Sequence, residues 1–180
     1  MPQINKNMFI LAIFGSLALQ WILAIVSIAM SLSGNQNLAM GALGLSCFAF
    51  LLLFLAIAFI AILVYKLWET IQDGNVRTTP GKACGFLFIP LFQLYWIFVA
   101  WWGWAVDFNK YTKEKSVSTP PVPEGLAMVM CILAVCSIIP YLGILIGLVN
   151  LVPFWMFVTK AIDGANAVRA TKPAAPMPTA

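Results

Sequence analysis

Residues 9–32 form a run of about 24 residues without a single charge, and a helix needs about 20 such residues to cross the hydrocarbon of a bilayer. Water offers such a run no stable place except inside a large core. The apolar stretch of a secretory leader is shorter, about 7–15 residues, so this run reads as a membrane helix that stays with the chain. A second run covers 38–65. Only Ser33-Gly34-Asn35-Gln36-Asn37 separates the two, and so short a turn forces an antiparallel helix pair. Tyr65 and Trp68 close the second run as amphipathic rings do at headgroup depth. The following KLWETIQDGN extends it into water, with Gly74 as its C-cap.

The third run, 84–106, opens with Thr79 as N-cap and Pro80 at the first helical position. It then meets Pro90 and Gln93, a helix breaker and an amide at membrane depth. Pro90 leaves the Phe86 carbonyl without its usual donor, and Gln93 is placed to supply one. Trp101, Trp102 and Trp104 fall where a second interface is expected, and Asp107 marks the return to water. A proline-rich loop, TKEKSVSTPPVPEG, follows. The last run, 125–160, is too long for one straight span and too short for two. Pro140 and Gly143 sit in its middle, so a helix near 124–138, a break, and a helix near 142–165 are expected. The break is either a kink in one tilted span or the tip of a hairpin, and the reading leans to the kink.

Composition agrees with the bilayer as the solvent. The chain is 62% hydrophobic and 9% charged, against about 25% charged in soluble domains. The expectation is an all-α polytopic transmembrane bundle over residues 1–168, with about four spans (9–32, 38–65, 84–106, 125–160). The third and last are broken at Pro90 and Pro140, and residues 169–180 form a disordered tail. Cation placement then orients it. With an N-terminus in the cytoplasm, Lys6, Lys66, Arg77, Lys82, Lys160, Arg169 and Lys172 lie inside, and Lys110, Lys113 and Lys115 outside. An alternative keeps all ten cations inside by making the third and last segments re-entrant hairpins. The tryptophans favour the four-span version.

Several chemistries are excluded. The chain has no histidine, and Cys47, Cys84, Cys131 and Cys136 lack metal-ligand spacing, so no metal or cofactor is expected. None of the carboxylates (Glu69, Asp73, Asp107, Glu114, Glu124, Asp163) falls mid-membrane, which argues against a proton-coupled pump. Gly81-Lys82 lacks the glycine spacing and the Ser/Thr of a phosphate loop. No run of basic residues suggests nucleic acid.

The amides Gln20, Gln93 and Asn150 are the candidate polar residues at depth, for hydrogen bonds between helices or for a polar pathway. Gly143 and Gly147 form a G-x-x-x-G face, read as close packing within the chain. IPLFQLYWIF and LVNLVPFWMF look alike, and three helix exits carry Asp then Asn: Asp73/Asn75, Asp107/Asn109 and Asp163/Asn166. Ordinary turn chemistry accounts for these as well as duplication does.

The stretch PGKACGFLFIPLFQLYWIFVAWWGWAVDFNKY resembles a family of small bacterial polytopic membrane proteins, some carried behind a soluble GYF-like module. Pro80, Gly81, Lys82, Ala83, Gly85, Phe86, Phe88, Ile89, Pro90, Tyr95, Trp96, Asp107 and Asn109 match its pattern. Gln93 stands where asparagine is expected. The later IIPYLGILIGL is also similar, and the resemblance covers residues 67–168 without the soluble module. It implies a multi-helix fold in a bacterial inner membrane, and no activity. The function expected is therefore a non-catalytic accessory or scaffold subunit, in contact with the lipid bilayer and with other membrane proteins or a second copy. A small channel or facilitator for a solute or lipid is the alternative. A lipid-acting enzyme would need clustered acids such as Asp73 with Asp163.

Overall fold

The computed structural model describes residues 1–139 and 142–172. It is 81% helical, with no strand among the described residues. Helix α1 is Lys6–Leu32, with one wider π turn at Leu11–Gly15, and α2 is Gln36–Thr70. Short α3 is Pro80–Gly85, and α4 runs over 92–114 through a π turn at Phe98–Gly103. Helices α5, Glu124–Cys136, and α6, Leu142–Thr171, complete the chain. Three of these are long and apolar enough to cross a membrane: α1, α2 and α6. The chain is thus an all-α protein of the multi-pass membrane type.

The helices group into two compact units, Asn7–Ala61 and Met1–Lys6 with Ile62–Ala180. The first is an antiparallel pair. Gly34 turns the chain at φ 73°, a conformation glycine adopts without strain. The Asn35 side chain caps α2 by accepting from the Asn37 N–H at 2.9 Å. Inside the pair, Ser27 donates to the Ala42 carbonyl at 2.9 Å and meets the Ser46 hydroxyl at 2.7 Å. Phe9 packs edge-on against Phe59. Gln20 is half-buried on α1. Large apolar side chains such as Leu32, Met40, Leu51 and Phe54 stay exposed, as lipid contact requires.

The second unit departs from straight crossings. Thr79 caps α3 and Pro80 begins it, as expected. The chain then passes through a 3-10 turn, Phe86–Phe88, and breaks around Pro90, with Leu91 at φ 62°, where side chains are strained. Helix α4 leads back. Trp96 in α4 donates to the Ala83 carbonyl in α3 at 3.1 Å; Phe92 stacks on Trp96, and Phe86 meets both rings edge-on. At the far end of α4, Asp107 grips Arg77, which precedes α3. The break expected at Pro90 is therefore present, and the chain folds back at it in place of the crossing expected over 84–106. Its tryptophans are corrected with it. Trp101 and Trp104 are buried against Phe154 and Phe157, and Trp68 is buried while donating to the Ala100 carbonyl at 3.0 Å.

The last segment also folds back. Pro140 lies outside the described residues, but α5 ends before it and α6 begins after it, as expected. Helices α5 and α6 pack on one another, and Val122, just before α5, lies beside Gly164, well along α6. That is a hairpin and not a kink. Gly143 makes the tip, since a Cβ there would stand 1.9 Å from the Ser137 carbonyl oxygen. Gly147 is half-buried. Where a disordered tail is expected from residue 169, helix α6 continues through Thr171 with Arg169 buried; the rest of that expectation, 173–180, lies outside the described residues. Gly74 does not cap α2, which ends at Thr70. It is needed instead because a Cβ there would press on the Tyr111 ring at 2.7 Å.

Candidate functional site

The polar side chains of the second unit collect at one end, where the N-terminal residues, the end of α2, the end of α4, the start of α5 and the end of α6 meet. Arg169 is the centre. Its side chain has no exposed surface, so each donor needs a partner. Nε donates to the Thr70 hydroxyl at 2.9 Å, Nη1 to the Pro2 carbonyl at 2.9 Å, and Nη2 to the Lys66 carbonyl and to Glu69 at 3.0 Å. One guanidinium thus ties the N-terminus and α2 to α6. Arginine suits this role because its planar fork offers several fixed donors and stays charged.

Two asparagines work as a matched pair. Asn109 of α4 donates to the Val122 carbonyl at 2.8 Å and accepts from the Val122 N–H at 2.8 Å. Asn166 of α6 donates to the Ile4 carbonyl at 2.9 Å and accepts from the Ile4 N–H at 2.7 Å. Each side-chain amide closes a two-bond ring with one backbone residue, and each holds the non-helical approach to the next helix: Ile4 leads to α1 and Val122 to α5. Both of those residues are buried. The nearby aspartates hold cations. Asp107 takes Arg77 through both oxygens, at 2.7 to 3.1 Å, and also accepts the Arg77 N–H. Asp163 takes Lys6 at 2.6 Å. Both pairs lie within their helices, which run on to Glu114 and Thr171, and not at helix exits as expected; there the Asp-then-Asn pattern is a working device used twice.

At the third exit, Asp73 accepts from Lys172 and from the Tyr111 hydroxyl at 3.1 to 3.2 Å, and the Lys172 ammonium stands 5.3 Å from the Tyr111 ring centre. Burial alone raises a carboxyl pKa, but the hydrogen bond and charge of Lys172, a backbone N–H and Tyr111 together hold Asp73 below its usual 3.8. Burial and the Asp73 charge push Tyr111 up to about 12.

The residues picked out at depth lie apart from this end. Gln93 is exposed, and its side chain does not serve the Phe86 carbonyl, which instead accepts from the Ile89 N–H at 3.4 Å. Asn150 has a buried Oδ1 with no partner. Trp104 Nε1 is likewise buried and unpaired. Asp73 and Asp163 hold different cations, and no group of three or more acids or cysteines stands ready for a metal among the described residues. Sequence reasoning missed Arg169, Asn109 and Asn166 as anchors. A signal existed for the first: Phe157, Val158, Ala161, Ile162, Ala165 and Val168 recur at helical spacing up to Arg169 and are buried.

No family model matches this chain, and neither the curated proteins nor the solved structures contain a match to it.

Proposed function

We propose that the chain is a membrane scaffold: an accessory subunit, without catalytic work of its own, that presents apolar helix faces to lipid and to other membrane proteins. The observation that carries this reading is the division of labour in the second unit. At one end Arg169, Asn109, Asn166 and Asp107 find their partners within the chain. The faces left outward carry large apolar side chains, such as Leu145, Val149 and Val152 on α6 and Leu91 and Tyr95 at the α4 fold-back.

The same reading gives a topology in which both hairpins leave the bilayer on the side they started from. Helix α5, Glu124–Cys136, rises only about 20 Å, short of a hydrocarbon core of about 30 Å, so it descends part-way and α6 brings the chain back. All ten cations then lie on one side, which the positive-inside rule makes the cytoplasm, with the N-terminus there too. A bacterial inner membrane is the address the family resemblance adds. Non-helical backbone at such depth needs protein or water to cover it, which is a reason for a partner at the exposed tips.

Purification in mild detergent followed by native mass measurement tests the proposal. The expected result is a stoichiometric complex larger than one chain; a lone monomer under those conditions refutes the scaffold role. Asn150 supports the second reading, a small facilitator, because its unpaired buried oxygen can face a polar path. Solute flux into protein-loaded vesicles that falls on Asn150→Leu would establish that reading instead.

A further inference from the structure

A pocket of about 280 Å³ opens beside α6 at the polar end, lined by Ser118, Thr119 and Pro121 of the proline-rich loop and by Lys160, Asp163 and Gly164 of α6. Lys160 is exposed, and no carboxylate pairs with it among the described residues. The acid one turn further on, Asp163, is already held by Lys6 at 2.6 Å. Of the charges that line the pocket, Asp163 is thus taken up by Lys6 from outside the lining, which leaves the Lys160 charge uncompensated beside the Ser118 and Thr119 side chains.

What lies below the pocket says what the charge is for. Leu145, Val149, Val152 and Met156 are 62%, 60%, 64% and 46% exposed. They follow one another three or four residues apart, so they form a single stripe along α6. The next step on that stripe is Lys160, and the one after it is Asp163. An apolar track long enough for an acyl chain thus runs straight into a pocket with one uncompensated cation.

We propose that this is a binding site for an anionic phospholipid, with the phosphodiester on Lys160 and the Ser118 and Thr119 hydroxyls and an acyl chain along the Leu145–Val149–Val152–Met156 stripe. The net single positive charge suits a headgroup that lacks its own ammonium. A zwitterionic lipid would bring a second cation to Lys160 and Lys6. The inference rests on the reading that α6 lies in the bilayer.

The full-length protein in nonionic detergent is examined by native mass spectrometry with phosphatidylglycerol and with phosphatidylcholine of the same chains. Phosphatidylglycerol is retained in preference. Lys160→Gln weakens that retention about fivefold, the worth of one cation near a lipid surface. Lys160→Arg keeps it, and Lys113→Gln leaves it unchanged. A double change on the exposed loop, Ser118→Ala with Thr119→Ala, weakens it too and gives an independent reading should Lys160→Gln fold poorly. Equal retention of the two lipids overturns the proposal, as does retention that ignores both the Lys160→Gln and the loop changes. Inorganic phosphate binding as tightly as the lipid would make this a free-phosphate site and also overturn it. Release of the protein from membranes by alkaline carbonate would instead show that the membrane reading had failed. Carbonate-resistant protein with no lipid preference refutes this inference alone.

Discussion

The two units are built from similar apolar material, yet they solve different problems. The pair Asn7–Ala61 is two long rods joined by one glycine turn and held by Ser27, Ser46 and aromatic packing. The unit from Ile62 onward is broken twice, and its helices return to the end they left. What separates them is polar chemistry at the ends of the runs. In the first pair the short turn carries no charge. In the second unit Arg77 precedes α3 and Asp107 lies in the second half of α4, so the segment gains a charge-assisted bidentate contact by coming back. Hydropathy sees both units as greasy runs; the partners at their ends decide whether a run stays straight or folds back.

That contrast can be broken by substitution. The largest effect is expected from Arg169→Met, which leaves Glu69 and the Lys66 and Pro2 carbonyls without their donor. About 3–5 kcal/mol of stability should be lost, because the backbone carbonyls and the Thr70 hydroxyl lose a charged donor at about 1–3 kcal/mol each, while Glu69, 39% exposed, can turn to water. Thermal unfolding in detergent reads it, and an unchanged melting temperature would refute the anchoring role. Gly143→Ala comes next. Its methyl would collide with the Ser137 carbonyl, so the α5–α6 hairpin should loosen by about 1–3 kcal/mol. Gly44→Ala, with nothing within 4 Å of the new carbon, should stay within about 0.5 kcal/mol of wild type.

Asn109→Ala leaves the buried Val122 N–H and carbonyl unmatched, at a cost of about 1–3 kcal/mol. Proteolysis within residues 115–123 should then accelerate, while the Ser33–Asn35 turn keeps its cutting rate. In the first unit Ser27→Ala should cost only about 0.6 kcal/mol, the usual worth of a hydrogen bond between membrane helices.

Acidity sharpens the comparison further. Tyr111 is raised to about 12 from 10, so its contribution is complete below pH 10 and is lost as pH climbs through 12. Asp73 is lowered from 3.8, so its contribution is present above that value and is lost on acidification through its depressed pKa. Tryptophan fluorescence of the second unit should therefore shift at both extremes. Tyr111→Phe should remove the alkaline shift, and Asp73→Asn the acid one.

Much of the architecture was legible from residue order. The runs, the short Ser33–Asn37 turn, the Thr79–Pro80 start and the break at Pro90 all follow from local propensity and hydropathy. The direction taken after a break was not legible. Pro90 says that a helix stops, but only the meeting of Arg77 with Asp107 says where the chain goes next. The tryptophans misled for the same reason, since an amphipathic ring suits a membrane interface and also a packed core with one carbonyl in reach, as Trp68 has. At the site, Asn109 and Asn166 read as turn residues because their partners, Val122 and Ile4, are backbone groups that no side-chain pattern announces.

Sidedness tests the account most directly. In a background with Cys47, Cys84, Cys131 and Cys136 replaced by serine or alanine, single cysteines at Gln3, Asn35 and Lys115 are exposed to a membrane-impermeant maleimide in sealed vesicles. The account predicts that positions 3 and 115 react from one face and position 35 from the other. Labelling of position 115 together with position 35 would mean that the third segment crosses the bilayer, and the paired hairpins would then be wrong.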